Sequence, residues 1–463
     1  MTRLQHAVKI ADKINLKHMK KITQIITLVL AALVVVACSD PAKELNGKRI
    51  GEPQFEEYAG VYRLYPAADL RCGDAPEGYT PFYITHYGRH GSRYVIDEQQ
   101  YEAVLNVLVK ASEDGKLTEL GQSICDRYNE VYPLLKWREG ELSKIGVEQH
   151  KLIAKRMYWS YPEIFKKNVR IEAVTTMLSR TMLSMTSFCE SLMEEDIELD
   201  INQEATIKNI KPLNPFTVQA GCVPADKKRF IKGTDTFWWE SFVEFMNSKI
   251  ETEAFVERIF TDSKYAATIC TPLDFMRNLY YVTVHMHGTD ENHVSLADAF
   301  TEDELSRLWE CDNAKYFMER GAGINPEYPS ELYGVYTLEG FIQDAEKDLA
   351  QDRPMVRLRF GHDGCMMVLY TVMGLPGWNK QAQSYSEVKD VFQNYNVPMA
   401  ANVQWVFYRG KNADDILVRL YINERVQAMP FEQVGDCYYR WQEVRDGYNE
   451  VIRAGKERLA AVN

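Results

Sequence analysis

Apolar residues recur at helical spacing over 97–109, 146–165 and 182–193, and each stretch predicts an amphipathic helix. Between the last two, 169–176 is short and rich in β-branched residues, which predicts a strand. Residues 82–86, Phe-Tyr-Ile-Thr-His, predict a buried strand that ends in a loop, because glycines follow at once. Strand character returns at 355–360, 403–408 and 417–422, and the Gly410-Lys411-Asn412 turn lets the last two pair as neighbours. Strands alternating with helices predict an α/β fold, a mixed sheet flanked by helices on both faces. From 212 to 348 the pattern changes: helical periodicity dominates and Phe237, Trp238, Trp239, Phe242 and Phe245 crowd together. This predicts a mostly helical domain inserted into an α/β core built from 71–211 and 349–463. Residues 38–70 are polar and irregular and read as a tether leading into the fold.

The N-terminus reads as a targeting segment, 1–37. Met19-Lys20-Lys21 is a short basic start and a more natural initiator than Met1, and 25–37 is an almost uninterrupted apolar run. That run is short for a bilayer span but suits the core of a signal peptide. Val35-Val36-Ala37-Cys38 resembles a bacterial lipoprotein box, with Cys38 as the residue that receives lipid; a conventional signal cleaved nearby is the alternative. Either implies an exported protein, and the lipoprotein form implies a periplasmic or outer-membrane, surface-anchored one that touches the membrane only through its lipid. The chain carries a formal charge of −12, and loss of a basic leader leaves the remainder more acidic still. An acidic surface argues against nucleic acid as partner. It also demands a locally positive pocket if the substrate is an anion. Eight cysteines follow Cys38 and none forms a C-x-x-C pair, so disulfides and buried thiols both stay open.

The strongest chemical signal is Arg89-His90-Gly91-Ser92-Arg93, at the end of the 82–86 strand. Covalent hydrolysis of a phosphate monoester needs a nucleophile in line with the ester oxygen, and an unprotonated imidazole nitrogen serves. It also needs several donors to hold the phosphoryl oxygens as charge spreads over them. Arginine fits because its planar fork binds oxygens in pairs and stays charged. Strand C-terminal ends are where ligands bind in open α/β sheets. By itself the pentapeptide also suits a basic surface loop with an ordinary histidine.

This pentapeptide resembles the signature of the histidine phosphatase superfamily, in its acid phosphatase and phytase branch, and further matches follow in order along the chain. Leu142-Ser143-Lys144-Ile145-Gly146-Val147-Glu148-Gln149 resembles the family's L-T-x-x-G-x-x-Q helix start. Ser179-Arg180-Thr181 resembles the segment that supplies a further phosphate-binding arginine, and Phe360-Gly361-His362-Asp363 resembles the family's His-Asp dipeptide. Residues 418–430, with Asn423-Glu424 inside, are similar to its final strand. The resemblance implies a phosphoglycerate mutase-like sheet and an exported acid phosphatase that hydrolyses phosphomonoesters through a phosphohistidine. It implies His90 as nucleophile and Arg89, Arg93, Arg180 and His362 as the phosphate cage. Asp363 would protonate the leaving alkoxide and then help water attack. No cofactor or metal is implied.

Pro76-Glu77-Gly78-Tyr79, Pro398-Met399-Ala400-Ala401-Asn402 and the 309–321 segment resemble one subgroup, the multiple inositol polyphosphate phosphatases. That subgroup usually carries His-Ala-Glu where this chain has His362-Asp363-Gly364. The departure weakens the case for inositol phosphates as substrate without touching phosphate transfer. Two alternatives stand beside hydrolysis: a phosphomutase of the same superfamily, and a surface lipoprotein that binds phosphorylated ligands with little turnover. Asp226-Lys227-Lys228-Arg229 with Lys232 reads as a solvated charge run or as the wall of a pocket for a highly phosphorylated small molecule. His285-Met286-His287, with His293 nearby, has metal-like composition: on a helix residues two apart face different ways and could not share an ion, whereas on a strand or loop they could. There is no G-x-x-x-x-G-K-[ST], H-E-x-x-H or G-x-S-x-G.

Overall fold

A computed structural model describes residues 44–51, 55–71, 75–227, 232–324, 328–351 and 353–462. From Arg49 onward the described residues form one compact unit, which holds the sheet and its helices. The targeting segment and Cys38 lie outside the described residues.

An eight-stranded sheet forms the centre: β1 Thr80–Arg89, β2 Arg170–Thr175, β3 Asp200–Ala205, β4 Met355–Gly361, β5 Asn402–Arg409, β6 Ile416–Ile422, β7 Arg425–Gln427 and β8 Tyr439–Arg440. Its order is β3-β2-β4-β1-β5-β6-β7, with β8 also on β6. The first four strands in that order run parallel, while β5, β6 and β7 pair antiparallel. The longer helices are α1 Glu98–Glu113, α2 Glu119–Leu135, α3 Lys144–Ser160, α4 Ser179–Glu195, α5 Trp239–Lys249, α6 Glu253–Ile259, α7 Ser263–Ile269, α8 Pro272–Met286, α9 Glu302–Arg320, α10 Gly334–Leu349, α11 Asp363–Val372 and α12 Trp441–Val462. This is the mixed α/β architecture the pattern predicts.

Side-chain alternation along the strands explains the two layers. Ile84, Val356, Leu358, Phe360 and Val406 face one core with Ile153 and Met157 of α3 and Phe188 of α4. Tyr83, Tyr87, Val403, Trp405 and Phe407 face the other, against Phe341 of α10 and Tyr448 of α12. Two arginines of β4 share this second face and find acids on α10. Arg357 pairs with Asp348 at 2.7 Å, and the fully buried Arg359 pairs with Asp344 while donating to Thr85 Oγ1 at 2.7 Å. The same apolar core continues through α1, α2, α6, α8 and α9.

Several elements differ from the sequence pattern. β1 runs three residues past His86, because Gly88 is paired on both sides, by Phe360 and Asn402. The helix expected over 146–165 stops at Ser160, where Pro162 lacks an N–H and pushes Tyr161 out of helical geometry. β3 is a polar edge strand with no apolar alternation to announce it. The stretch resembling a single final strand is a hairpin, β6 and β7, turned by Asn423 and Glu424 in left-handed conformation. Within the expected tether, Val61, Leu64 and Tyr65 are buried.

The loop after β1 is seated on the start of α3. Ser143 caps α3 by accepting from the Gly146 N–H, and its own N–H donates to Ser92 O at 2.9 Å. Gln149 Oε1 accepts from both the Ser92 N–H and the Ser92 hydroxyl, at 3.0 and 3.1 Å. Between these bonds two glycines touch: a Cβ on Gly91 would stand 2.5 Å from Gly146 O, and one on Gly146 would stand 2.3 Å from Ser92 O. Backbone meets backbone, so no side chain can yield. Gly146→Ala is therefore expected to destabilise the fold by about 2–3 kcal/mol or to push the 90–93 loop off α3. The check is a thermal melt beside the phosphate-ester hydrolysis that the sequence resemblance implies; a variant equal to wild type in both would contradict the close approach.

Candidate active site

Three neighbouring parallel strands, β2, β4 and β1, end at the same edge of the sheet, with Arg89 in register with Gly361 and Thr175 with Phe360. The segments that follow converge there. The His90 N–H donates to Gly361 O at 3.1 Å, and His90 O accepts from the Ala400 N–H at 3.0 Å, so the residue is held from both sides. His90 Nδ1 lies 3.0 Å from Gly91 O. A carbonyl oxygen only accepts, so Nδ1 carries the proton and Nε2 keeps its lone pair.

After β4, His362 stands immediately before α11, without a side-chain capping bond, and Asp363 is the first residue of that helix. The His362 ring centroid is 5.8 Å from that of His90, and its Nε2 lies 3.2 Å from Thr176 Oγ1 at the end of β2. Asp363 accepts from the Gly364 N–H at 2.7 Å and pairs with Arg89 Nη2 at 2.8 Å. The β2 segment continues to Arg180 at the start of α4.

A cavity of about 380 Å³ opens on this edge, lined by His90, Arg93, Arg180, His362 and Asp363 among others. Five of the six residues expected at the site therefore share one wall. Arg89 is placed differently: it is fully buried behind that wall, with Nη1 donating to Val61 O and Val397 O and Nη2 on Asp363. Its guanidinium braces the acid and ties two distant segments to the loop.

The rest of the cavity comes from residues outside the phosphatase motifs, among them members of the 309–321 segment and of the His285-Met286-His287 trio. Tyr62 stands at the end of a 3-10 turn in the expected tether. Arg277, Tyr281 and His285 line it from α8, four residues apart each time, and Asp312, Lys315, Tyr316 and Glu319 line it from α9. These are polar stripes at helical period on helices otherwise buried, a signal present in the sequence but easily read as solvent-facing. Of the basic run, Lys232 lines the cavity, while Lys227 lies beside the exposed Asp226; Lys228 and Arg229 lie outside the described residues. The His285-Met286-His287 trio sits at the end of α8, where the two imidazoles take separate partners. His285 Nε2 lies 3.3 Å from Arg93 Nη1, and His287 Nε2 lies 2.8 Å from Tyr62 O. No cluster of metal-ligating side chains occurs among the described residues, and the seven described cysteines are unpaired thiols.

The charges act on one another. Burial, then the surrounding guanidinium groups of Arg89, Arg93 and Arg180, hold His90 well below the usual imidazole range, so it is neutral. Burial and Arg180 bring His362 down to about 4. Burial alone would raise Asp363, but Arg89, the Gly364 N–H, His362 and Arg93 outweigh it and hold the carboxyl at about 2. Arg180, partly buried beside Arg93, falls to about 10 and stays charged. The site thus presents a neutral imidazole lone pair, convergent cations and one carboxylate.

The family model for the histidine phosphatase superfamily (branch 2) matches residues 88–423. No curated protein matches the chain in sequence. Among solved structures, the multiple inositol polyphosphate phosphatase of Bifidobacterium longum, in complex with inositol hexasulfate, is similar at 18% identity and a TM-score of 0.64, over 87% of this chain and 97% of that one. The phytase of D. castellii is similar at 16% identity and a TM-score of 0.63, over 90% of this chain and 85% of that one. The phytase of Hafnia alvei, in complex with myo-inositol hexakis sulphate, is similar at 13% identity and a TM-score of 0.51, over 82% of this chain and 98% of that one. At these identities the likeness is one of fold.

The buried histidines have a consequence for stability. His86, His90 and His285 are held well below 6.5, His362 at about 4 and His150 at about 3, with burial the first cause in each. Below the unfolded value the unfolded chain binds protons that the folded one refuses, so stability is full above about pH 6.5 and is lost on acidification. Each such imidazole costs up to about 1.4 kcal/mol per pH unit in that window. Tm measured without ligand should fall steadily from about pH 6.5 towards pH 4; a level or rising Tm would contradict the neutral assignment.

Proposed function

Because the chain belongs to the histidine phosphatase superfamily, branch 2, we propose that this phosphatase works through His90 and Asp363 on phosphate monoesters, with inositol polyphosphates as the substrate class. The observation that carries the assignment is the His90 Nε2 lone pair, left free by the Nδ1 contact to Gly91 O, in the same cavity as Asp363.

Each step follows from the groups present. Arg93, Arg180 and His362 receive the phosphoryl oxygens, and the cations offset the charge that spreads over them in the transition state. His90 Nε2 forms the P–N bond as the ester P–O bond breaks, and the leaving oxygen takes the proton of Asp363. Water then gives a proton back to Asp363 while its oxygen displaces Nε2 and releases inorganic phosphate. The free carboxyl is ionised because Arg89, Arg93 and His362 hold it down. A bound phosphate dianion offsets that positive field, so protonation of Asp363 is coupled to substrate binding. Arg89, paired with Asp363, keeps the acid aimed at the leaving group.

Lys232, Arg277 and Lys315 lie on the cavity wall, where further phosphates of a compact polyanion would meet positive charge. The protein as a whole is acidic, so this local field supplies the attraction that the overall charge denies. The Bifidobacterium longum and Hafnia alvei proteins bind sulfate analogues of an inositol polyphosphate in the same fold, which supports the same class here. Export as a lipoprotein rests on residues 19–38; no described helix is long and apolar enough to cross a membrane.

Asp363→Asn should lose on the order of 100-fold in kcat on alkyl phosphates but under about tenfold on aryl phosphates, whose leaving groups need less protonation. Equal losses on both would remove Asp363 from the acid role. Phosphate from a labelled substrate should be trapped on the wild-type protein and not on His90→Ala. Labelled fatty acid should be incorporated by the full chain in a bacterial host and not by Cys38→Ala; labelling of both would refute lipidation at this residue.

A further inference from the structure

His285 is buried, lines the catalytic cavity and takes no part in the phosphoryl transfer itself. Its ring lies 3.9 Å from that of Tyr62, tilted by 37°. Its Nδ1 is 2.6 Å from Tyr281 O, one turn back along α8. That oxygen accepts, so the ring proton sits on Nδ1 and Nε2 presents a lone pair. The lone pair faces Arg93 Nη1 at 3.3 Å, and that Arg93 nitrogen also donates to Tyr94 O at 2.8 Å. A terminal guanidinium nitrogen carries two hydrogens. Both now have acceptors, one from the backbone and one from His285, while Arg93 Nε is buried without a partner.

We propose that His285 is a positioning residue that fixes the rotation of the Arg93 guanidinium, so that its Nε–Nη2 edge is the one offered to the phosphoryl group. Side-on binding by that edge takes two oxygens at once and depends on the plane of the guanidinium. Tyr94 O alone leaves one Nη1 hydrogen unsatisfied, and the Tyr62 ring, 5.8 Å from the guanidinium carbon, offers no acceptor for it. The Tyr281 carbonyl sets the tautomer, and the Tyr62 ring sets the angle of the imidazole. Two other roles are disfavoured by geometry. His287 turns its Nε2 to Tyr62 O, away from any ion shared with His285. The His285 lone pair is spent on Arg93, so it does not serve as a second nucleophile.

His285→Phe keeps an aromatic ring against Tyr62 and removes the acceptor; His285→Gln returns an acceptor at similar reach. Inorganic phosphate binding, measured by calorimetry, requires no turnover and separates this inference from the assignment of His90 and Asp363. The expected result is a roughly tenfold or greater rise in phosphate Kd for His285→Phe with a matching fall in kcat/KM, and recovery to within about threefold by His285→Gln. In an Arg93→Ala background, His285→Phe should add less than about a twofold change, because its effect runs through Arg93. Wild-type phosphate affinity in a folded His285→Phe protein would overturn the proposal, as would an undiminished effect in the Arg93→Ala background. Should His285→Phe fail to fold, His285→Gln read against His285→Met isolates the acceptor without the ring, and equal phosphate Kd values for those two would overturn it as well.

Discussion

The contact between Gly91 and Gly146 is the constraint on which the site rests. A backbone-to-backbone approach this close is open only to glycine. It lets the loop after β1 lie flat on the first turn of α3, where Ser143 and Gln149 take up the polar groups of Ser92. His90 is thereby pinned between a helix start and the ends of β4 and β5. Its side chain needs no long-range partner of its own to be aimed, because the backbone on both sides already is.

What is gathered around that imidazole is electrostatically uneasy. Burial, and after it the neighbouring arginines, depress the basicity of His90, of His362 and of Arg180 itself. Water screens such a largely buried cluster poorly, so the fold offsets the repulsion with fixed groups. Asp363 takes part of it through Arg89, and the carbonyls of Val61 and Val397 take more. Two segments far apart in the chain, an N-terminal 3-10 turn and the run before β5, are in this way drawn to the catalytic edge by one buried guanidinium. The residual field favours an incoming phosphate, which completes the charge balance that the protein leaves open.

The helical layer contributes differently from the sheet. The strand ends deliver the reacting groups, whereas α8 and α9 deliver walls, through polar residues spaced one turn apart along each helix. Tyr281 and Asp312 show how these walls are held: the tyrosine hydroxyl donates to the carboxylate at 3.0 Å, so neither is left unsatisfied in the interior.

Local sequence set the chemistry and the scaffold of its delivery. His90, Arg93, Arg180, His362 and Asp363 each sit within a few residues of a strand end, so a short motif after an apolar run was enough to mark them. The central strands were legible because they are buried on both faces, and α1, α3 and α4 because each shows an apolar face. Everything else waited on contacts between residues distant along the chain. β3 at the sheet edge is polar and carries no alternation. Tyr62 lies in a stretch without periodicity, and its place at the cavity follows from where Arg89 anchors its neighbour Val61. Arg89 itself stands beside the nucleophile in sequence yet is fully buried, with its Nη2 on Asp363 and its Nη1 on the carbonyls of Val61 and Val397. The direction of a side chain at a strand end is set by the partners that satisfy it, and those partners come from elsewhere in the fold.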